Sequence, residues 1–468
     1  MLYKLHEMQR SLLNPMTAYA QTQAQWLSHP LNPFLLNPAT RRIAAGYELL
    51  YRLGKEYEKP AFGLEFAKVN GQDIPIAEEL IARKAFCKLI HFKKLDAPAL
   101  VQPKMLVFAP LSGHHSTLLR DTVRALLPDF DVYITDWIDA RMVPLSAGAF
   151  HLDDYVAYCI EFMQRLAPNL NVMSVCQPTV PVLGAISLMA SRKDPAQPVT
   201  MTMMGGPIDA RKSPTQVNNL ATTKPYSWFE HNVICTVPDK YPGAGRRVYP
   251  GFLQHAGFVA MNPDRHLTSH WDYYQDLLKG DDDDVEAHRK FYDEYNAVLD
   301  LDADYYLDTI QTVFQDFALP HGSWVVAGEP VRPQDIKHTA LLTIEGELDD
   351  ISGSGQTRAA HDLCTGLPAT MQQHFEAKEC GHYGIFSGRR WREMIYPQVR
   401  AFVKSHGAVK LASTSPKVAT KVAAAPVKKA APRVAVKAPV KKVNKTKAIA
   451  SKRKVKVAAK GSAKKRAA

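Results

Sequence analysis

Residues 170–206 read LNVMSVCQPTVPVLGAISLMASRKDPAQPVTMTMMGG. Leu170–Val175 (LNVMSV) and Val199–Met204 (VTMTMM) are short runs with almost no charge, and Val180–Ser191 between them is apolar over a helical length. A strand, a helix and a second strand in so few residues make a βαβ unit. Strands that are apolar on both faces belong to a parallel sheet covered by helices on both sides.

The same alternation extends outward. On the N-terminal side, Met105–Pro110 (MLVFAP) predicts a strand, Leu118–Leu127 a helix, Asp131–Asp136 (DVYITD) a strand and Asp153–Leu166 an amphipathic helix. After Gly205-Gly206-Pro207 the alternation stops. Up to about Lys337 the chain is rich in aromatics and prolines and reads as largely helical, placed where a lid would be inserted between sheet strands. Within it, Asp281–Asp284 reads as a helix start or solvated turn rather than a metal site. The sheet then resumes with Thr339–Glu345 as a strand, Gln356–Leu363 as a helix, Ala369–Ala377 as a strand and a last helix over Arg389–Lys404. The stretch before Pro103 reads as helical, with Ala44–Leu53 and Ile76–His91 carrying apolar residues at helical spacing. The expected organisation is a helical segment over 1–103, an α/β core over 104–206 and 338–407, a lid over 207–337 and a tail over 408–468.

Composition narrows the class. The chain has 468 residues, 46% of them hydrophobic, an ordinary globular balance. No run approaches the ~20 apolar residues of a membrane span, and the N-terminus lacks the apolar core of a signal peptide, so a cytoplasmic location is expected. The net charge of +12 is uneven: 19 of the 58 basic residues fall in 408–468, which has no Asp or Glu. The rest of the chain therefore carries 39 basic against 46 acidic residues, a net of −7. The Ala/Lys/Pro/Val tail cannot bury enough apolar surface to fold and is expected to be disordered. Such a tail suits a polyanion, which makes non-specific DNA binding, adhesion to an anionic granule coat and a purely solubilising role the three readings of it. The six cysteines, Cys87, Cys159, Cys176, Cys235, Cys364 and Cys380, show no C-x-x-C spacing and form neither a zinc site nor a disulfide framework.

Three residue types that together make an acyl-transfer site follow predicted strands in order. Cys176 comes after LNVMSV, Asp349 after LLTIEGEL, and His382 lies in KECGHYGIF beyond the last strand. The carboxyl edge of an open α/β sheet is where sites are built, and nucleophile, acid, histidine is the chain order of α/β-hydrolases. A strand-to-helix turn would project the Cys176 sulfur above the sheet near a helix N-terminus, which favours thiolate. His382 would carry the proton, and Asp349 would fix the imidazole. Asp349 is preferred to Asp350 because it lies three residues after Gly346 in a G-x-x-D turn. The backbone N–H of Gln177 would give one oxyanion donor, and the loop of Leu111 and Ser112 a second. Each residue singly has a plainer reading: a packed thiol, a capping carboxylate, a loop histidine. The turn also departs from G-x-S-x-G, with Ser174 and Pro178 at the glycine positions. No metal or bound cofactor is expected.

The stretches Ser174–Ala190 (SVCQPTVPVLGAISLMA) and Thr200–Asn218 (TMTMMGGPIDARKSPTQVN) resemble intracellular polyhydroxyalkanoate (polyhydroxybutyrate) depolymerases. Ala109–Val123, Ile134–Met163, Ile344–Thr357 and Gly381–Phe402 fit the same family, so the resemblance runs to about Lys404 and leaves out the tail. It implies an α/β-hydrolase fold and a cysteine triad falling on Cys176, Asp349 and His382. It further implies a storage-polyester granule as substrate and partner, water as acyl acceptor, and coenzyme A as an alternative acceptor. Two other functions compete with this one: a polyester synthase-like acyltransferase, which typically keeps glycines around its cysteine, and a granule- or nucleoid-binding scaffold with an inactive hydrolase core.

Overall fold

The computed structural model describes residues 1–413 apart from 96, 98, 99 and 262; the tail, and with it the reading of 408–468 as a disordered DNA- or granule-binding arm, lies outside the described residues beyond 413. The core is a nine-stranded sheet. Its strands are β1 (Phe66–Val69), β2 (Gln72–Arg83), β3 (Cys87–Lys94), β4 (Lys104–Phe108), β5 (Asp131–Trp137), β6 (Leu170–Val175), β7 (Thr200–Met204), β8 (Ala340–Gly346) and β9 (Gln372–Ala377). They lie in the order β1-β2-β3-β5-β4-β6-β7-β8-β9. From β5 to β9 every pairing is parallel, while β1, β2 and β3 join as an antiparallel edge. This mostly parallel sheet with helices on it is the α/β-hydrolase fold. The sequence order reverses at β4, which has β5 on one side and β6 on the other, so a crevice opens outside the carboxyl ends of β4 and β6.

Burial explains why the central strands are legible: every residue of β6, β7 and β8 is buried. The helix after β6, Thr179–Ser191, is buried from Thr179 through Ala190, so it is apolar all round rather than amphipathic.

Two helices open the chain, α1 (Leu2–Leu27) and α2 (Pro38–Gly54). Asn37 caps α2 by accepting from Ala39 N at 2.9 Å, with Pro38 at the first helical position where no donor is lost. The expectation of a helix over Ile76–His91, and with it of a wholly helical segment over 1–103, is corrected here: these residues belong to β2 and β3. Helix-forming residues yield because β3 is paired on both sides, with β2 and β5, and buries Cys87, Leu89 and Phe92. Smaller corrections follow the same logic. Of Gln356–Leu363 only Ala360–Leu363 is α-helical, and β9 begins at Gln372 after a 3₁₀ turn. The last helix continues through 408 to Ser413.

Between β7 and β8 the inserted segment contributes helices Gln216–Thr223, Tyr226–Asn232, Gly251–Met261, Pro263–Lys279, Asp282–Tyr295 and Ala303–Thr309 and a small three-stranded sheet. Asp281 caps the fifth of these helices, accepting from Asp284 N at 3.3 Å, which accounts for the acidic run. The insertion is tied to the N-terminal helices by Tyr3 Oη donating to Asp300 Oδ2 at 2.7 Å and Arg52 Nη2 donating to Asp293 Oδ1 at 2.9 Å. No helix among the described residues is long and apolar enough to cross a membrane.

Candidate active site

Cys176 follows β6 directly and takes φ +67°, the left-handed conformation that a non-glycine residue adopts at a cost. The sharp turn is pinned at both ends: Cys176 N donates to Met204 O at 2.7 Å, and Cys176 O accepts from Thr179 N at 3.1 Å. Gly206 makes this turn fit. A Cβ there would stand 1.8 Å from Thr179 Oγ1 and 2.4 Å from Cys176 O. The glycine expected next to the nucleophile in a G-x-S-x-G turn is thus supplied by the neighbouring strand end. The sulfur lies just before a buried helix N-terminus, whose dipole favours negative charge.

The acid and the histidine are held against each other by their loops. Asp349 N donates to Gly346 O at 3.2 Å, closing the G-x-x-D turn, and Leu348 N donates to Cys380 O at 2.9 Å, joining that turn to the loop before His382. A Cβ on Gly346 would fall 2.4 Å from Cys380 O, so only glycine permits this approach. Asp349 Oδ1 accepts from Ile351 N at 2.9 Å and Ser352 N at 2.8 Å, while Oδ2 meets His382 Nδ1 at 2.8 Å. The neighbouring Asp350 is exposed. Since a carboxylate accepts, Nδ1 carries the hydrogen and Nε2 is left for chemistry. The Cys176 sulfur lies close enough to the same imidazole to act on its protonation. Burial alone would push the His382 pKa down, but the Asp349 carboxylate and the Cys176 sulfur outweigh it and hold it well above 6.5.

The other thiols differ from this one. Burial lifts Cys87 and Cys159 well above the usual thiol range and Cys364 to about 12. Cys176, half-buried like Cys235, is the one of the six that lines a cavity of about 580 Å³ between the sheet edge and the insertion. Its wall is dominated by Leu118, Val217, Phe229, Phe258, Tyr306 and Phe314, and no Asp, Glu, Lys or Arg among the described residues lines it.

Leu111 and Ser112 line this cavity too, as does Gln177. The carbonyls of their loop are spoken for: Ala109 O accepts from Trp137 Nε1 at 2.9 Å, Leu111 O from Tyr305 Oη at 3.0 Å, and Gly113 O from Leu299 N at 2.7 Å. The loop's shape is therefore fixed in part by the insertion. All six residues selected from sequence thus stand around one space, except that Asp349 is reached through His382.

Several residues that shape the site lie outside that selection. Glu345, buried at the end of β8, accepts from the backbone N–H groups of Gly355, Thr357 and Arg358 at 2.9, 2.7 and 2.8 Å. Thr357 Oγ1 then bonds Gly206 N at 2.8 Å and Gly206 O at 3.0 Å, steadying the glycine on which the cysteine turn rests. His114 lines the cavity with its ring stacked on Phe258 at 4.8 Å, donates Nε2–H to Tyr295 O at 3.2 Å and is pushed by burial down to about 4, so it stays neutral. Partners this distant in sequence leave no local pattern to read.

Residues 205–407 match a protein-family model described as "PHB de-polymerase C-terminus". Among curated protein sequences none matches. Among solved structures the chain is similar to a monoacylglycerol lipase from Paleococcus ferrophilus, at 14% identity over 65% of this chain and 96% of that one with a TM-score of 0.38. It is also similar to 2-hydroxy-6-oxo-6-phenylhexa-2,4-dienoate hydrolase from Rhodococcus sp. strain RHA1, at 10% identity over 71% and 99% of the two chains with a TM-score of 0.41. A meta-cleavage product hydrolase from Pseudomonas fluorescens IP01 gives 14% identity over 70% and 98% with a TM-score of 0.39.

Proposed function

Because the chain belongs, through residues 205–407, to the PHB depolymerase family, we propose that this ester hydrolase cleaves polyhydroxybutyrate in storage granules with Cys176 as nucleophile, His382 as acid–base and Asp349 as the group that orients it. The observation that carries the reading is the His382–Asp349 hydrogen bond of 2.8 Å, with Cys176 and His382 lining one apolar cavity.

The chemistry runs in two halves. The Cys176 thiolate adds to an ester carbonyl carbon, and the oxyanion rests on the Gln177 N–H and an N–H from the Leu111–Ser112 loop. As the carbonyl re-forms, the ester C–O bond breaks, and the departing alkoxide takes the proton from the His382 imidazolium. A thioester on Cys176 remains. Neutral His382 then removes a proton from water, the resulting hydroxide adds to the thioester, and the thiolate leaves as the carboxylic acid is released. Asp349 stays ionised throughout and stabilises the imidazolium. A wall without Asp, Glu, Lys or Arg favours a neutral acyl chain and offers no lysine or arginine to the phosphates of coenzyme A, so water is the acceptor in this reading.

The test is incubation of the purified full chain, beside Cys176→Ala, with amorphous polyhydroxybutyrate granules, following release of 3-hydroxybutyrate and its oligomers. Acid release by the unaltered chain alone is expected. Equal release by both proteins discards the nucleophile, and release by neither discards the substrate.

A further inference from the structure

Helix α1 has two unlike faces. One packs on the body of the protein through Tyr3, Glu7, Thr17, Ala20 and Ala24. The other carries Leu5, Met8, Leu12, Met16, Tyr19 and Trp26, each between 53% and 72% exposed. At 3.6 residues per turn these six side chains fall within an arc of about 80° and extend about 32 Å along the helix. Exposed apolar side chains scattered singly are ordinary, but a row of large ones marks a surface that binds something. The charged residues of α1 all pair with the rest of the chain: Lys4 with Asp239 at 3.4 Å, Glu7 with Lys240 and Arg10 with Glu56. Along the row itself the polar neighbours are uncharged. Gln9 and Thr22 flank it and Gln23 lies within it.

We propose that this face of α1 is the docking surface by which the chain lies on the bare polyester. The inference rests on the polyester-hydrolase reading above and adds how the chain reaches an insoluble substrate. Three observations choose this occupant. A helix of a second copy, packed as a coiled coil, needs apolar residues every 3.5 positions. Counted from Leu5, Met8 and Leu12, that repeat falls on Pro15 and Thr22; the row instead takes Met16, keeps the 3.6 period and stays straight, as a flat surface requires. Helices that lie on anionic lipid carry Lys and Arg along the polar face, and α1 has neither after Arg10. A polyester presents methyl and methylene groups among ester carbonyls, which are neutral acceptors, and apolar side chains edged by glutamine and threonine match that surface. The anchor also adjoins the cavity. The His6 ring stacks on Phe252 at 4.0 Å, and the Tyr3 ring meets Phe252 edge-on at 5.4 Å. Phe252 belongs to the helix Gly251–Met261, whose Gly257, Phe258, Ala260 and Met261 line the cavity that holds Cys176. A chain held by α1 therefore keeps one wall of its cavity next to the polymer.

The test is co-sedimentation of the full chain with protein-free particles of amorphous polyhydroxybutyrate, in about 0.5 M salt to screen the basic tail. Leu12→Glu/Met16→Glu is expected to weaken binding by at least about tenfold, since two large side chains lose their burial and two charges meet an apolar surface. Its kcat/KM on the soluble ester p-nitrophenyl 3-hydroxybutyrate should stay within about twofold of the unaltered chain, because neither residue touches the cavity. Gln23→Leu, which fills the gap in the row, should tighten binding by about threefold, a gain that misfolding cannot mimic. Binding unchanged in both variants overturns the inference and leaves the hydrolase reading standing. Equal α1-dependent binding to vesicles of phosphatidylglycerol overturns the choice of polyester, and a dimer that Leu12→Glu/Met16→Glu splits in light scattering gives the face to a second copy instead. Binding that depends on α1 without hydrolysis of either the particles or the soluble ester sinks the hydrolase reading and keeps the docking surface.

Discussion

His382 Nδ1 lies 2.8 Å from Asp349 Oδ2, and the Asp349 side chain has no exposed surface. With its other oxygen fixed by Ile351 N and Ser352 N, the carboxylate cannot turn away, so it dictates both the tautomer and the angle of the ring. Asp349→Asn keeps the shape but offers an N–H or a weaker acceptor to Nδ1. We expect kcat on p-nitrophenyl 3-hydroxybutyrate to fall by about 10²- to 10⁴-fold with little change in KM. A loss under tenfold in steady-state assays would remove Asp349 from the site, and Asp350→Asn serves as the neighbouring control.

The same pair makes stability depend on pH in a stated direction. The folded His382 pKa is raised well above 6.5, against the pull of burial, by Asp349 and Cys176. A raised folded pKa means that protonated His382 contributes stability fully below the unfolded value of 6.5 and loses it as pH rises through the folded value. Over that window the unaltered chain should lose about 1.4 kcal/mol per pH unit relative to a variant with an unshifted histidine. Urea unfolding of the unaltered chain and Asp349→Asn across neutral to alkaline pH measures this. Parallel curves would show that the imidazole is not held charged, and an NMR titration of His382 gives the same answer independently.

Strain at the cysteine gives a prediction that activity assays cannot see. At φ +67° residue 176 sits where glycine is at ease and alanine is not. Cys176→Gly and Cys176→Ala should both be inactive, yet the glycine variant should be the more stable in urea by about 1 kcal/mol. At an ordinary backbone position alanine would win. A more stable alanine variant would therefore mean that the turn relaxes once the sulfur is gone.

What can be read from the sequence follows from how local each signal is. Strands β4, β6, β7 and β8 are buried on both faces, so MLVF, VMSV and TMTMM announce themselves as unbroken apolar runs. Cys176, Asp349 and His382 are selectable because each follows such a strand or the one beside it, and the sheet alone brings their loops to one edge. The stretch 72–94 misleads because no residue of β2 is fully buried and Glu78, Glu79 and Arg83 suit a helix as well as a strand. Only pairing with β5, some forty residues on, decides its conformation. Glu345, Thr357 and Tyr305 act through backbone groups 10 to 194 positions away, and such reach has no signature in composition or spacing.

The insertion's hold on the core turns on a buried ion pair. Arg246 Nη1 donates to Asp302 Oδ2 at 2.7 Å and Gly148 O at 2.8 Å, Nη2 to Pro144 O at 2.7 Å and Nε to Val143 O at 3.0 Å. The side chains are only 3% and 4% exposed. Asp302 begins the helix that carries Tyr305, and hence the bond to Leu111 O. Arg246→Met strands a carboxylate that burial already pushes above its usual range, despite Arg246 beside it. The expected cost in urea unfolding at neutral pH is about 3–5 kcal/mol, because removing one partner of a buried pair leaves the other uncompensated. Acidification should shrink the deficit, since protonating Asp302 removes the stranded charge. The double variant Arg246→Met/Asp302→Leu should recover much of the loss. If the double variant is as unstable as the single one, the three carbonyl bonds of Arg246, not the ion pair, hold this joint together.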